Sequence, residues 1–277
     1  MNTSSIKQLL VQATQDLSQV CERPRLEAEI LLAYALGKDR LWLMTHDTDE
    51  VDASRFWKLV RRRQAYEPIE YITGRVSFYD IHLCIAKGAL IPRPETELLV
   101  DHASQMIARY GITSIAEVGV GSGAVSIVLA RKHPTLSIVA TDISTDALEI
   151  ARTNVEAFGL SDRITLVHTD LLEGVKDDVE MIVSNPPYIA EDATLYTNVK
   201  GYEPHEALFS GTNGDVMLRR ILDEAKRRRI GLVACEMGYD QKVSMQAYAE
   251  AIGMTPIDFY RDLAGLDRGF TIRKERW

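Results

Sequence analysis

The chain has few cysteines, no long apolar run and no excess of positive charge, and each shortage argues against a class of function. Its three cysteines, Cys21, Cys84 and Cys235, lie far apart and form no Cys-x-x-Cys or Cys/His spacing. That pattern suits neither a zinc module nor a disulfide framework, and no metal is expected. The opening stretch MNTSSIKQLLVQATQDL lacks the apolar segment of a secretion signal, and the nearby ILLAYAL is far too short to cross a bilayer. A reducing cytoplasm and no membrane partner are therefore expected. Lys plus Arg number 32 against 40 Asp plus Glu, a formal charge of −8, so no overall field draws the chain to a phosphate backbone. No direct nucleic-acid partner is expected. Low-complexity tracts are missing too.

What is present is globular material. The 277 residues are 46% hydrophobic and 26% charged, enough for one large and one small domain in a chain expected to be a monomer. From residue 4 to about 66, four segments carry apolar residues at three- and four-residue spacing, predicting a small helical bundle over residues 1–70. Pro24 and Gly37 bracket its second helix. Around EPIEYITGRVSFYDIHLCI the period shifts toward two, so residues 71–90 are expected to form a hairpin linker. Residues 91–277 then alternate strand and helix, with strands predicted at 115–118, 137–141, 164–168, 181–184, 230–235, 255–260 and 270–273. Such alternation implies an α/β fold, a doubly wound, seven-stranded, mostly parallel sheet covered on both faces. Only RDLAGLDRG separates the last two strands, too short for a crossover helix, so the last strand is expected to run antiparallel. The basic runs at 61–63 and 226–229 read as solvated helix ends favoured by the dipole.

Three places at the carboxyl ends of the predicted strands carry chemistry. IAEVGVGSGAVSIVLA turns from strand to helix through Gly119, Gly121 and Gly123, with Val120 and Ser122 between them. Glycine permits positive φ and lets backbone N–H groups approach a ligand. The letters fit both the GxGxG of adenosylmethionine sites and a dinucleotide GxGxxA ending at Ala124. Asp142 ends the second strand at the distance where an acid accepts from a ribose, while Asp170 and Leu171 end the third, where an adenine could lie. These positions outline a nucleoside site and leave the reaction open.

The fourth strand narrows it. In VSNPPYIAE the apolar run Met181-Ile182-Val183 ends in Asn185, followed by Pro186, Pro187 and Tyr188. Each proline fixes φ and removes a donor, which stiffens the loop. The Asn185 side-chain carbonyl and the Pro186 main-chain carbonyl can then offer two acceptors to the two hydrogens of a planar NH₂ group. This suits methyl transfer to an amide or aromatic amino nitrogen, because the paired acceptors orient a weak nucleophile and stabilise its developing positive charge. Tyr188 would add a flat face against a planar substrate group. No hydride-transfer His, Lys or Tyr-Lys arrangement supports an oxidoreductase.

LIPRPETELLV (90–100), EVGVGSGAVSI (117–127), ATDIS (140–144), IVSNPPYI (182–189) and YEPHEAL (202–208), in this order after a helical N-terminal domain, closely resemble the HemK-type glutamine-N5 methyltransferases of peptide chain release factors. The resemblance covers nearly the whole chain. It implies a Rossmann-like methyltransferase domain and S-adenosyl-L-methionine as methyl donor, with S-adenosyl-L-homocysteine as product. Cofactor contacts would come from Gly119, Val120, Gly121, Ser122, Gly123, Asp142, Leu171 and Asn185. Asn185, Pro186, Pro187 and Tyr188 would hold the glutamine amide, with Asn185, Pro186 and Tyr188 as the catalytic group. Leu171 replaces an aromatic residue that some members carry. The helical domain would grip the release factor, whose Gly-Gly-Gln glutamine enters the catalytic domain. The resemblance leaves roles for Arg93, Glu95 and Glu203 open. Two related activities share the Asn-Pro-Pro-Tyr logic: methylation of a ribosomal-protein glutamine and, more distantly, of adenine N6 in nucleic acid.

Overall fold

The computed structural model describes residues 3–176 and 178–274. They fall into two compact units, one running from the N-terminus to Arg75 together with Leu195–Tyr202, the other Val76–Thr194 together with Glu203 onward.

The first unit is helical, with α1 (Ile6–Leu17), α2 (Pro24–Leu36), α3 (Arg40–Thr45), α4 (Ser54–Gln64) and α5 (Ile69–Thr73). Ser5 and Gln8 close a reciprocal capping box at the start of α1, satisfying two N–H groups that a helix start leaves unpaired. Gly37 ends α2 with φ 65°. Ile6, Leu9, Leu31, Leu32, Phe56 and Val60 meet in a single core. Two features depart from the sequence reading. Strands β1 (Thr3–Ser5) and β2 (Glu50–Asp52) pair antiparallel, at three residues each too short to register as a period of two. Of the basic run at the end of α4, Arg61 is exposed, but Arg63 is buried and its Nε donates to Glu27 at 2.5 Å. Its helix face turns inward, so it is an internal ion pair and not a solvated end.

In the second unit, β3 (Arg75–Phe78) and β4 (Ile81–Cys84) form a two-stranded sheet. There follow α6 (Thr96–Tyr110), β5 (Ser114–Val118), α7 (Ala124–Lys132), β6 (Ser137–Asp142), α8 (Thr145–Ala157), β7 (Ile164–His168) and β8 (Met181–Ser184). The one-turn helix α9 (Thr197–Lys200) clusters with the first unit. The chain ends in α10 (Val216–Arg228), β9 (Leu232–Glu236), α11 (Lys242–Ile252), β10 (Ile257–Arg261) and β11 (Asp267–Arg273). Seven strands form one sheet in the order β10-β11-β9-β8-β5-β6-β7. All pairings from β9 to β7 are parallel, and β11 runs antiparallel between β9 and β10. The expected reversal of the last strand is therefore present. Ala116, Ile182 and Val233 on the sheet share a core with Leu218 and Ile221 of α10 and Met245 of α11. β8 is buried along its whole length, as a strand covered on both faces must be. Among the described residues no helix is long and apolar enough to cross a membrane.

The register positions the site. Val118 pairs with Thr141 and with Ser184, and Ser184 with Cys235. One residue further along each strand stand Gly119, Asp142, Asn185 and Glu236, in a row at the carboxyl rim. From β5 the chain winds outward through β6 and β7, then returns to β8 on the other side. The crevice between β5 and β8 is thus a topological switch point, where open α/β sheets bind ligands.

Candidate active site

A cleft of about 990 Å³, its open mouth included, lies over this rim. It brings together Gly119, Val120, Gly121, Ser122, Asp142, Leu171, Asn185, Pro186 and Pro187 among its lining residues. Gly123 and Tyr188 are not among them.

The glycine turn departs from the expectation that its N–H groups face a ligand. The N–H groups of Gly119 and Val120 both donate to the Thr141 carbonyl, at 2.8 and 3.0 Å, and that of Gly123 to the Val120 carbonyl at 2.8 Å. The Gly121 N–H donates to Asp142 Oδ2 at 3.0 Å. The turn closes on β6, which takes the N–H groups of Gly119, Val120 and Gly121. What the glycines supply is positive φ, 76°, 54° and 85° in order, and room. A Cβ on Gly121 would meet no protein atom within 4 Å. One on Gly123 would only reach ordinary contact with Ile127 and Ala151, so this third glycine is called for by its positive φ and not by lack of space.

Glu117, near the end of β5, lines the cleft and is bonded to the first turn of α7. Its buried carboxyl accepts from the Ser126 N–H at 3.0 Å and from the Ser126 hydroxyl. Burial pushes its pKa up to about 8, against the pull of the two Ser126 donors. The Glu117 side chain thus takes up the Ser126 N–H, one of the first-turn donors of α7 that an anion would otherwise use, which disfavours the dinucleotide reading of the loop.

Asp142 does not cap α8, because Ser144 does so by accepting from the Ala147 N–H. The Asp142 carboxylate instead takes one N–H on each oxygen, from Gly121 and from Ser144 at 2.9 Å. Burial raises its pKa, backbone N–H groups hold it down, and Glu206 opposite adds to the rise. A carboxylate has about four lone-pair sites, so it retains capacity for two ribose hydroxyls. Leu171, at φ 50°, offers an apolar wall. Asp170 lines the cleft but is committed to Arg220, whose guanidinium donates at 2.6 Å.

Asn185 emerges from β8 with its side chain fixed, Nδ2 donating to the Thr96 hydroxyl oxygen at 3.0 Å. The Asn185 carbonyl oxygen Oδ1 is left as an acceptor. Tyr188 turns away from the cleft, packs against the domain core and donates its hydroxyl to Glu236 Oε1 at 2.9 Å. The loop is clamped from behind. Gln241 Nε2 donates to the Tyr188 carbonyl at 2.9 Å, and a Cβ on Gly214 would sit 2.3 Å from that same oxygen. Glu203 is buried, accepts from the Ile91 N–H at 3.0 Å and pairs with Arg93, tying the Pro-rich loop to the segment after the Asn-Pro-Pro-Tyr turn. Glu95 is the N-cap residue of α6, with no side-chain cap bond.

Sequence reasoning missed Thr96, Glu117, Gly214, Glu236 and Gln241. Only Glu117, an acid immediately before the glycine turn, carried a local signal.

Comparison with known proteins matches residues 8–74 to the PrmC N-terminal domain and residues 94–201 to the methyltransferase small domain. The release factor glutamine methyltransferase of Coxiella burnetii is 36% identical over 276 residues, covering 98% of this chain and 99% of that protein. That of Clostridium acetobutylicum is 34% identical over 276 residues, covering 95% and 96%. Among solved structures, the human METTL16 catalytic domain in complex with an RNA hairpin superposes with a TM-score of 0.56 at 16% identity, over 69% of this chain and 75% of that one. This likeness is one of fold. Identity above one third to full-length relatives, across both domains, is a matter of descent: the chain belongs to the family of release factor glutamine methyltransferases.

Proposed function

We propose that the protein transfers a methyl group from S-adenosyl-L-methionine to the side-chain amide nitrogen of the glutamine in the Gly-Gly-Gln motif of a peptide chain release factor, in the cytoplasm. The observation that carries this reading is the Asn185 amide. Its NH₂ end is held by Thr96, so Oδ1 is the end available to a substrate, and an acceptor selects a substrate that donates.

The residues present fit the cofactor. Asp142 would take the ribose hydroxyls, Leu171 and Val120 would pack on the adenine side, and the turn from Gly119 to Ser122 leaves space where side chains would intrude. Gly123 supports that turn through its positive φ. When bound, S-adenosyl-L-methionine supplies an electrophilic methyl on a sulfonium that leaves as a neutral thioether. Asn185 Oδ1 and the Pro186 carbonyl accept the two N–H bonds of the glutamine amide, turn its nitrogen lone pair toward the methyl, and stabilise the positive charge that grows there. Pro187 stiffens the loop and walls the cleft, while Tyr188 anchors it through Glu236. A charged base is not required in the transfer step, because the nitrogen can release its proton afterwards. The helical domain, residues 1–70, and the linker, residues 71–90, serve recognition of the release factor by the catalytic domain, residues 91–277.

The test is incubation with methyl-labelled S-adenosyl-L-methionine and, separately, purified release factor, ribosomal proteins and DNA, with the label located by mass spectrometry. Label on the Gly-Gly-Gln glutamine is the expected result. Label on a ribosomal-protein glutamine or on adenine, with none on release factor, would replace the reading by one of its two relatives.

A further inference from the structure

Between β4 and α6 the chain runs through residues 85–95 without helix or strand, and Leu90 and Pro92 from this stretch line the cleft. It lies beside the cofactor half. Gly88, with φ 110°, passes so near the first turn of α8 that a Cβ there would lie 2.6 Å from Asp146 Cβ. Asp142, Ser144 and Ala147 line the cleft at the same place. A stretch with no ladder of its own keeps its place only through what holds it. Two buried polar side chains do so, one near each end. Asn154 of α8, 1% exposed, accepts the Cys84 N–H at 2.8 Å, while its Nδ2 donates at 2.9 Å to the carbonyls of Cys84 and of Ser122 in the glycine turn. Glu203, its side chain 1% exposed, accepts the Ile91 N–H at 3.0 Å and pairs with Arg93. Directly after Glu203 the chain forms the opposite wall with Pro204 and Ala207. That wall is tied in turn to the strand leaving Tyr188, because the Ile189 N–H donates to the Leu208 carbonyl at 2.9 Å.

We propose that Asn154 and Glu203 are positioning residues for the cofactor, holding residues 85–93 as a preformed wall beside Asp142. This rests on the cofactor assignment made above and extends it to two side chains that do not line the cleft. A buried ion pair adds little net stability over an apolar pair of the same size. What Glu203 and Arg93 supply is a fixed separation between the two walls. Asn154 uses its carbonyl oxygen and its amide nitrogen together, so it sets the wall against the glycine turn in one register. A wall ordered in advance leaves the whole of the contact energy to binding, whereas a wall that the ligand must order subtracts from it. Loss of either post should therefore weaken the donor and its demethylated product alike, and leave the transfer step alone.

The experiment compares wild type, Glu203→Ala, Glu203→Gln and Asn154→Ala in three measurements. Calorimetry should show the Kd for S-adenosyl-L-methionine and for S-adenosyl-L-homocysteine raised by about 10-fold in both alanine variants. Glu203→Gln keeps an acceptor for the Ile91 N–H and should fall between wild type and Glu203→Ala. On release factor, the KM for cofactor should rise in step while kcat at saturating cofactor stays within about threefold of wild type, the mark of binding lost equally from ground and transition states. Hydrogen exchange of the cofactor-free proteins, read by mass spectrometry, should be faster in the alanine variants over residues 85–93, with the sheet strands unchanged. Saturating cofactor should slow it again. Unchanged Kd and exchange in the folded variants, or kcat lost in proportion to affinity, would overturn the proposal. So would faster exchange spread over the whole domain, the sign of general destabilisation. Should an alanine variant fail to fold, Glu203→Gln and Asn154→Asp, each keeping one acceptor, decide it by the same measurements. A wild type that binds cofactor but methylates no glutamine would sink the transfer reading alone, and binding and exchange would still decide the role of the two posts.

Discussion

Asp142 meets two demands at one carboxylate. It closes the glycine turn by accepting from Gly121 and Ser144, and it keeps lone pairs for a ligand. Asp142→Ala should therefore weaken S-adenosyl-L-methionine binding by about 10- to 100-fold, about 1.4–2.8 kcal/mol, while kcat at saturating cofactor stays within a few-fold of wild type. Calorimetry and saturation kinetics check this. The same variant should lose about 1–3 kcal/mol of stability by denaturant titration, because two N–H groups lose their acceptor. Asp142 and Asn185 were legible in the sequence because each follows an apolar strand, so that strand periodicity alone carries it to the rim. Thr96 and Glu236 were not. Their meaning arises only when α6 and β9 meet β8, and nothing adjacent to either in sequence distinguishes it from an ordinary helix-start threonine or a strand-end acid.

At the scale of elements, the loop after β8 is rigid for two separate reasons. Its prolines remove backbone freedom, and Gly214 and Gln241 press on the Tyr188 carbonyl from behind. Gly214 has φ 73°, unfavourable for any side chain by about 1 kcal/mol, and has no space for a Cβ. Gly214→Ala should lower the melting temperature and, by displacing the Asn185–Tyr188 loop, reduce kcat by about tenfold or more. Full kcat in a folded Gly214→Ala protein would show that the loop does not rely on this brace. The sheet strands were readable because their apolar runs were bounded by glycine and charge, and the antiparallel end followed from connection length. The β1–β2 ribbon was invisible, since three-residue strands owe their pairing to the helices they flank. The glycine turn was legible as a turn, but the sequence does not reveal that Thr141 and Asp142 take the N–H groups of Gly119, Val120 and Gly121.

For the molecule as a whole, the buried carboxyls govern its response to pH. Glu117 and Glu236 have pKa values raised from the ordinary 4.5 to about 8 and about 7. Folded, they hold protons that the unfolded chain releases, so each loses stability as pH rises from 4.5 through its folded value. His102 and His133, lowered by burial, act in the opposite direction below 6.5, so the informative comparison is with a variant. Between pH 5 and 8 the melting temperature of Glu117→Gln should fall less, or rise more, than that of wild type. Parallel curves would mean that Glu117 titrates normally.

The central claim is that Asn185 acts on the reacting amide and not mainly on the cofactor. The most direct measurement sets the single-turnover methylation rate of Asn185→Ala on release factor beside its S-adenosyl-L-methionine Kd. The account predicts a rate lowered by about 100-fold or more with Kd changed by only a few-fold. Equal losses in rate and cofactor affinity would contradict it, and would make Asn185 a cofactor ligand.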